Sequence, residues 1–160
     1  MRCVFLGDSG IGKTTFLKKA THDESNTEPT IGVNSMVYIS GKDKLHCWDT
    51  SGTRRFERVS LLFANGADAI IYMYDVSTPS TLDRVLHWRQ LTDAVHNTPN
   101  VHILVGLKTD LENKCSAEGY ENFICINCPT ENQTMEAIVD IIKSTRPKVT
   151  TTKSRRRCCF

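Results

Sequence analysis

The sequence has no apolar run near the roughly 20 residues that a bilayer-spanning helix needs. The opening Met1-Arg2-Cys3-Val4-Phe5-Leu6-Gly7 is too short an apolar stretch for a secretory signal. No internal repeat occurs. Acidic residues are missing from 144–160, which hold six of the 20 Lys and Arg. That leaves 14 bases against 18 acids in residues 1–143, a net charge of −4. A nucleic-acid partner is therefore not expected for the domain, whereas the tail suits an acidic surface. The seven cysteines do not form a disulfide framework. Cys125 and Cys128 make a C-x-x-C with no second ligand pair for zinc, and Cys3 and Cys47 read as small core residues.

What is present is the size of one domain, 160 residues, with four short apolar runs: Cys3 to Leu6, Ala69 to Tyr74, Val101 to Val105 and Phe123 to Ile126. Their continuity predicts strands buried on both faces of a parallel sheet. Leu82, Val85, Leu86, Trp88, Leu91 and Val95 form one helical stripe. Met135, Ile138, Val139 and Ile142 form another, opened by the capping-box pattern Thr130-Glu131-Asn132-Gln133. Val33 to Ile39 and Lys44 to Trp48, joined by Ser40-Gly41-Lys42-Asp43, read as an antiparallel hairpin. The fold class is a doubly wound α/β domain over 1–143. Its six-stranded mixed sheet is parallel except for one hairpin edge strand, flanked by helices, with the ligand outside the carboxyl ends of the strands. Residues 144–160 read as a flexible basic tail, because Arg146-Pro147 and Thr150-Thr151-Thr152 end the helical pattern.

Gly7-Asp8-Ser9-Gly10-Ile11-Gly12-Lys13-Thr14 matches G-x-x-x-x-G-K-[ST] between a strand and a helix, with Thr15 following. Glycines let backbone N–H groups wrap a polyphosphate, and the helix N-terminus adds its dipole. Lys13 reaches β- and γ-phosphates, and the Thr14 hydroxyl suits Mg²⁺. Asp49, ending a strand, suits the same metal, and Gly52 suits an N–H aimed at a γ-phosphate.

The tract Gly7 to Phe16, together with Thr30-Ile31-Gly32-Val33, Trp48-Asp49-Thr50, Arg55-Phe56, Gly66-Ala67-Asp68 and Tyr74-Asp75-Val76-Ser77, resembles the Rab branch of the Ras superfamily of small GTPases. The resemblance covers about residues 2–143 and, separately, the terminus. It implies a P-loop NTPase fold and a GTP/GDP-binding switch with Mg²⁺ held by Thr14, Thr30 and Asp49. Residues 22–34 and 50–65 are then the two switch segments, their order set by a few contacts to one phosphate. Lys13, Thr30 and Gly52 are the implied catalytic residues. Lys108, Asp110 and Cys128 are the implied guanine contacts.

Several positions depart from the pattern. Thr53 stands where the family carries the glutamine that orients water, so slow intrinsic hydrolysis is expected, dependent on an activating partner. Leu107-Lys108-Thr109-Asp110 replaces Asn-Lys-x-Asp, and Asn127-Cys128-Pro129 replaces Ser-Ala-Lys. Asp110 still accepts from guanine N1–H and the 2-amino group, but Leu107 cannot bond as an amide does, and Pro129 has no N–H. Three lost contacts of about 1 kcal/mol each weaken binding by about two orders of magnitude. No aromatic lies between Phe16 and Thr30 to stack under the base. Leu111 to Glu121 lacks apolar periodicity, so the family's helix there is expected to be missing. Ser35 replaces a partner-facing aromatic, while Trp48 and Phe63 remain.

The ending Arg155-Arg156-Arg157-Cys158-Cys159-Phe160 resembles paired-cysteine Rab termini that receive two geranylgeranyl groups. Two chains anchor stably where one does not, and each basic residue adds about 1 kcal/mol at an anionic leaflet. The span from Ser144 to Cys158 reaches at most about 45–50 Å. The implied protein acts on the cytoplasmic face of an endomembrane, with a cytosolic pool. Its implied partners are exchange, activating, escort and effector proteins. Two other readings stay open: a prenylated binding module that hydrolyses nothing, and a P-loop kinase or ATPase.

Overall fold

The computed structural model describes residues 1–95, 99, 101–116, 118–126 and 130–145. Its strands are β1 (Arg2–Leu6), β2 (Val33–Ser40), β3 (Asp43–Thr50), β4 (Ala69–Asp75), β5 (His102–Leu107) and β6 (Ile124–Ile126). The helices are α1 (Lys13–Thr21), α2 (Glu57–Ala64), α3 (Pro79–Asp93) and α4 (Glu131–Thr145), with a 3-10 turn (Arg54–Phe56) leading into α2. The sheet order is β2-β3-β1-β4-β5-β6. Only the β2–β3 pair is antiparallel. This is the expected architecture, with Gly41-Lys42 turning the hairpin between the paired Ser40 and Asp43. β1 runs between β3 and β4, where the chain order reverses, so the loop after β1 opens into the crevice at the strand ends.

Side-chain alternation splits the core in two. Cys3 and Phe5 face α1 and α4, packing with Leu17, Met73, Met135 and Ile138. Val4 and Leu6 face α2 and α3, packing with Ile70, Tyr72, Trp88 and Phe123. β4 is buried along its whole length, as its unbroken apolar run requires. α4 buries Met135, Ile138, Val139 and Ile142, and the Thr130 hydroxyl accepts from the Gln133 N–H at 3.3 Å to cap it.

Two expectations need correction. Leu86 is 46% exposed, because the stripe on α3 is narrower than its apolar residues suggest. β6 is not buried on both faces: Ile124 and Cys125 are exposed, since this short strand closes the sheet at an edge. Among the described residues no helix lies between Leu107 and Ile124. Tyr120 and Phe123 fill that space instead. Phe123 meets Tyr72 edge-on at 5.2 Å, and the Tyr120 hydroxyl donates to the Leu82 carbonyl at 3.1 Å. α4 runs to Thr145, two residues past the expected end of the domain at 143.

Candidate functional site

The loop from Gly7 to Thr14 lies between the end of β1 and the start of α1. Gly7 is required by contact: a Cβ there would come within 2.3 Å of the Met73 carbonyl oxygen on β4. Ile11 anchors the loop in the core at 2% exposure, leaving Ser9, Gly10 and Thr15 exposed. Gly12 precedes α1 in the left-handed region at φ 105°, which leaves the first N–H groups of α1 without helical partners. A cleft of about 290 Å³ opens over this loop, lined by Gly12, Lys13, Thr14, Pro29, Thr30 and Gly52 among others.

Lys13 is buried, and its ammonium donates to the carbonyls of Gly7 at 2.7 Å and Asp8 at 2.8 Å. Burial pulls its pKa down to about 8, against the attraction of Asp49 and Asp8. Three elements meet at Asp49 on β3. Its Oδ2 accepts from the Thr14 hydroxyl at 2.6 Å and the Thr30 hydroxyl at 3.1 Å, and the two hydroxyl oxygens lie 2.9 Å apart. Asp49 is fully buried, and its Oδ1 has no hydrogen-bond partner. Burial raises its pKa, although Thr14, Lys13 and Thr30 oppose the shift.

This donor set fits Mg²⁺. It offers hard oxygens only, from one carboxylate and two hydroxyls, and an orphaned buried carboxylate oxygen beside them. Too few protein ligands converge for a closed cage, which matches a cation that keeps waters and binds phosphate. Among the described residues no cluster of three or more His, Cys, Asp or Glu could hold a softer metal.

The 50–53 segment folds directly over the loop. A Cβ at Gly52 would lie 2.2 Å from the Asp8 carbonyl carbon and 2.3 Å from the Ser9 nitrogen, so only glycine passes. The Ser51 N–H donates to the Gly32 carbonyl at 2.8 Å, joining the two expected switch segments. Thr53 is exposed, and its hydroxyl lies 3.1 Å from that of Ser51. Arg54 and Arg55 are exposed, and Arg55 sits over the Phe56 ring at 5.6 Å.

The base-side residues stand apart from this cleft. Leu107 is packed into the core at 7% exposure. Lys108, at φ 59°, turns its ammonium to Asp75 Oδ2 at 2.7 Å, and Asp110 is exposed. Burial alone would raise Asp75, but the bonds from Lys108 and Ser77 outweigh it and hold its pKa low. Cys128 lies outside the described residues, as do Cys158 and Cys159.

Motif reading missed the residues that hold Asp8. Arg84 Nε on α3 reaches Asp8 Oδ1 at 3.3 Å, and Trp88 Nε1 donates to the same oxygen at 3.1 Å. Their i, i+4 spacing was the available signal, because it places both on one helix face. It also missed Lys18, whose ammonium donates to the carbonyls of Ser25 and Asn26.

The sequence matches the Ras family model over residues 2–142. The chain belongs to the Ras family, on its Rab branch. It is similar to the Ras-related protein RABA5b of Arabidopsis thaliana, 36% identical over 117 residues, covering 69% of this chain and 54% of that protein. It is similar to the Ras-related protein SEC4 of Saccharomyces cerevisiae, 34% identical, covering 71% and 56%. The Ras-related protein Rab-18 of Caenorhabditis elegans is 31% identical, covering 71% and 60%. This Rab-branch chain thus spans little more than half the length of such relatives. No helix among its described residues is long and apolar enough to cross a membrane.

Proposed function

We propose that this chain is a Rab-like GTP-binding switch regulating vesicle-mediated protein transport, held on the cytoplasmic face of an endomembrane by geranylgeranyl groups on Cys158 and Cys159 and by the basic tail. The observation that carries the reading is the meeting of Thr14, Thr30 and Asp49 beside Lys13. One buried carboxylate there joins the phosphate loop to the first switch segment. Such a joint senses a terminal phosphate, because Thr30 has few other ties to hold it.

The residues divide the work as follows. Backbone N–H groups of Gly10 to Thr15 face the polyphosphate, and the Lys13 ammonium neutralises it. Thr14, Thr30 and Asp49 would hold Mg²⁺, which when bound screens the charge on the phosphate oxygens. Gly52 carries its N–H to the terminal phosphate, where water attacks in line. Asp110 selects guanine, Lys108 covers its ring, and Cys128 offers an N–H to O6. Thr53 cannot orient water as a glutamine does, so turnover is slow and depends on an activating protein. Exchange, escort and effector proteins of the Rab type complete the cycle.

A second reading is a prenylated module that holds nucleotide without hydrolysing it. The Thr53 hydroxyl engaged with Ser51, and the Lys108 ammonium engaged with Asp75, favour it. Equilibrium binding of GDP, GTP and ADP with Mg²⁺, followed by single-turnover hydrolysis with a Rab-type activating protein, separates the two. The switch predicts guanine preferred over adenine by at least about tenfold and assisted turnover. Guanine binding without turnover supports the second reading, and no guanine binding overturns both.

A further inference from the structure

We propose that Lys18 is a positioning residue for nucleotide binding. Its ammonium clasps the chain at Ser25 and Asn26 onto α1, and the short tether from Asn26 to Thr30 carries that grip to the phosphate cleft. This rests on the guanine-nucleotide switch reading above.

Lys18 stands in the middle of α1 and is only 9% exposed, although its partners lie in an exposed stretch, residues 22–29. A buried ammonium needs acceptors. It finds two backbone carbonyls, that of Ser25 at 3.2 Å and that of Asn26. The turn after α1 delivers them. His22 takes the left-handed conformation at φ 56°, so that its N–H donates to the Lys19 carbonyl at 3.3 Å and the Asp23 N–H to the Lys18 carbonyl at 2.9 Å. The chain thus turns back onto the helix it has just left. The Ser25 N–H then donates to Asp23 Oδ1 at 3.0 Å, which closes the turn. No aromatic lies between Phe16 and Thr30 to pack there instead.

Beyond Asn26 the next tie is at Thr30. Residues 27–29 hydrogen-bond to none of the described residues, yet all three line the phosphate cleft. Lys18 also lines a second cleft, of about 380 Å³, which lies between this stretch, α1 and β2. The stretch is therefore an arch. One foot is fixed by Lys18, and the other by Thr14 and Asp49 through the Thr30 hydroxyl. Its span is short, because four residue steps reach at most about 14 Å. Pro29 stiffens it, since the ring fixes its own φ and biases Glu28 towards extended conformations. An arch so short and stiff passes the position of one foot to the other. Without the Lys18 bonds the free stretch lengthens back to the end of α1, and the entropic cost of placing Thr30 over the phosphates rises.

The test is the dissociation of labelled GDP from the full chain in Mg²⁺, chased with excess unlabelled GDP. Lys18→Met keeps the apolar stem and removes the donors, and it should speed dissociation by about tenfold. Lys18→Arg, whose fork spans two carbonyls, should recover part of that loss. Pro29→Gly loosens the tether, so in that background Lys18→Met should add less than about threefold. An undiminished effect there means that Lys18 acts by another route and overturns the proposal, as does an unchanged rate in Lys18→Met. Inosine diphosphate reports on the base. Lys18→Met should speed its release by the same factor as that of GDP, because the clasp touches no base, and an effect on GDP alone overturns the proposal. Circular dichroism without nucleotide identifies a disturbed fold, in which case Lys18→Leu replaces Lys18→Met with the same expectations. A wild type that binds no guanine nucleotide overturns the switch reading and this role together. A wild type that binds it, with a Lys18→Met that releases it no faster, overturns this role alone.

Discussion

The orphaned oxygen of Asp49 makes a two-sided prediction. Asp49→Asn keeps the side chain's shape and removes its charge. In the free protein that charge is fully buried, with one oxygen satisfied by Thr14 and Thr30 and the other by nothing. Burial dominates, so the folded pKa lies above that of the unfolded chain. The fold therefore holds the proton more tightly than the unfolded chain does, and the ionised form is destabilising. Acidification through the folded pKa recovers stability, and raising the pH through it loses stability. An amide avoids most of the charge penalty at the price of an unpaired donor in place of the orphaned oxygen. The net gain expected without metal and nucleotide is about 1 kcal/mol. For a domain of this size that is about 2–4 °C in Tm. The advantage should be widest near neutral pH and shrink as the pH falls. With Mg²⁺ and GDP the order should reverse. At a ligand concentration 100 times its Kd the wild type gains about 2.7 kcal/mol, and Asp49→Asn should gain far less. Circular-dichroism melts across pH, with and without Mg²⁺ and GDP, read both halves. A ligand-free Asp49→Asn less stable than wild type, or one with the full Mg²⁺·GDP gain, would refute the reasoning.

Lys13, held at about 8 when free, must be charged to meet a polyphosphate. Binding of Mg²⁺·GTP at pH 9 should therefore take up close to one proton, and affinity should fall by up to about tenfold per pH unit above 8; calorimetry in buffers of different ionisation enthalpy checks this, and no uptake at pH 9 counts against it. Phe123→Ala should destabilise the domain by about 3–5 kcal/mol, because its ring plugs the face that lacks a helix, whereas Tyr120→Phe should lose only about 1 kcal/mol with its bond to Leu82; urea denaturation measures both. Leu107→Asn, which restores the family's residue, should not be a simple repair: burying an amide in place of a core leucine costs about 2–4 kcal/mol, read as a lower Tm even if GDP binds more tightly.

The apolar runs and the phosphate motif were legible because each is local. Four runs gave four of the six strands, and the turn at Ser40 to Asp43 gave the hairpin. Met135, Ile138, Val139 and Ile142 are all buried, since one period of 3.6 decides which face α4 hides. What stayed hidden depends on contacts across the chain. Arg84 and Asp8 are 76 residues apart, and no motif spans them. Leu86 reads like its neighbours but points out, because α3 covers less of the sheet than its composition permits. The segment from Leu111 to Glu121 was legible as non-helical. Its structural use was not, because Tyr120 belongs to no period and finds its place only against Phe123 and Leu82 of α3.

The base-side loop shows why a lost motif residue need not mean a lost loop. In the family pattern an asparagine at position 107 secures this segment with its side-chain amide. Here Leu107 is spent on the core, and the securing is done elsewhere. Lys108 pairs with Asp75 at 2.7 Å, and Ser77 donates to the other oxygen of Asp75 from both N–H and hydroxyl. The Leu111 N–H donates to the Lys108 carbonyl at 2.9 Å, and the Lys114 N–H to the Val76 carbonyl at 2.8 Å. Lys108 is partly exposed, so its pair contributes about 1 kcal/mol at most; the backbone bonds and the buried Tyr120 hold the rest. These ties run within the loop, to the end of β4 and to α3, and none runs to the phosphate loop. The loop is therefore ordered without a base. The cost of Leu107 falls on how tightly a base is held, and it leaves Asp110 as the carboxylate on which discrimination rests in the proposed site.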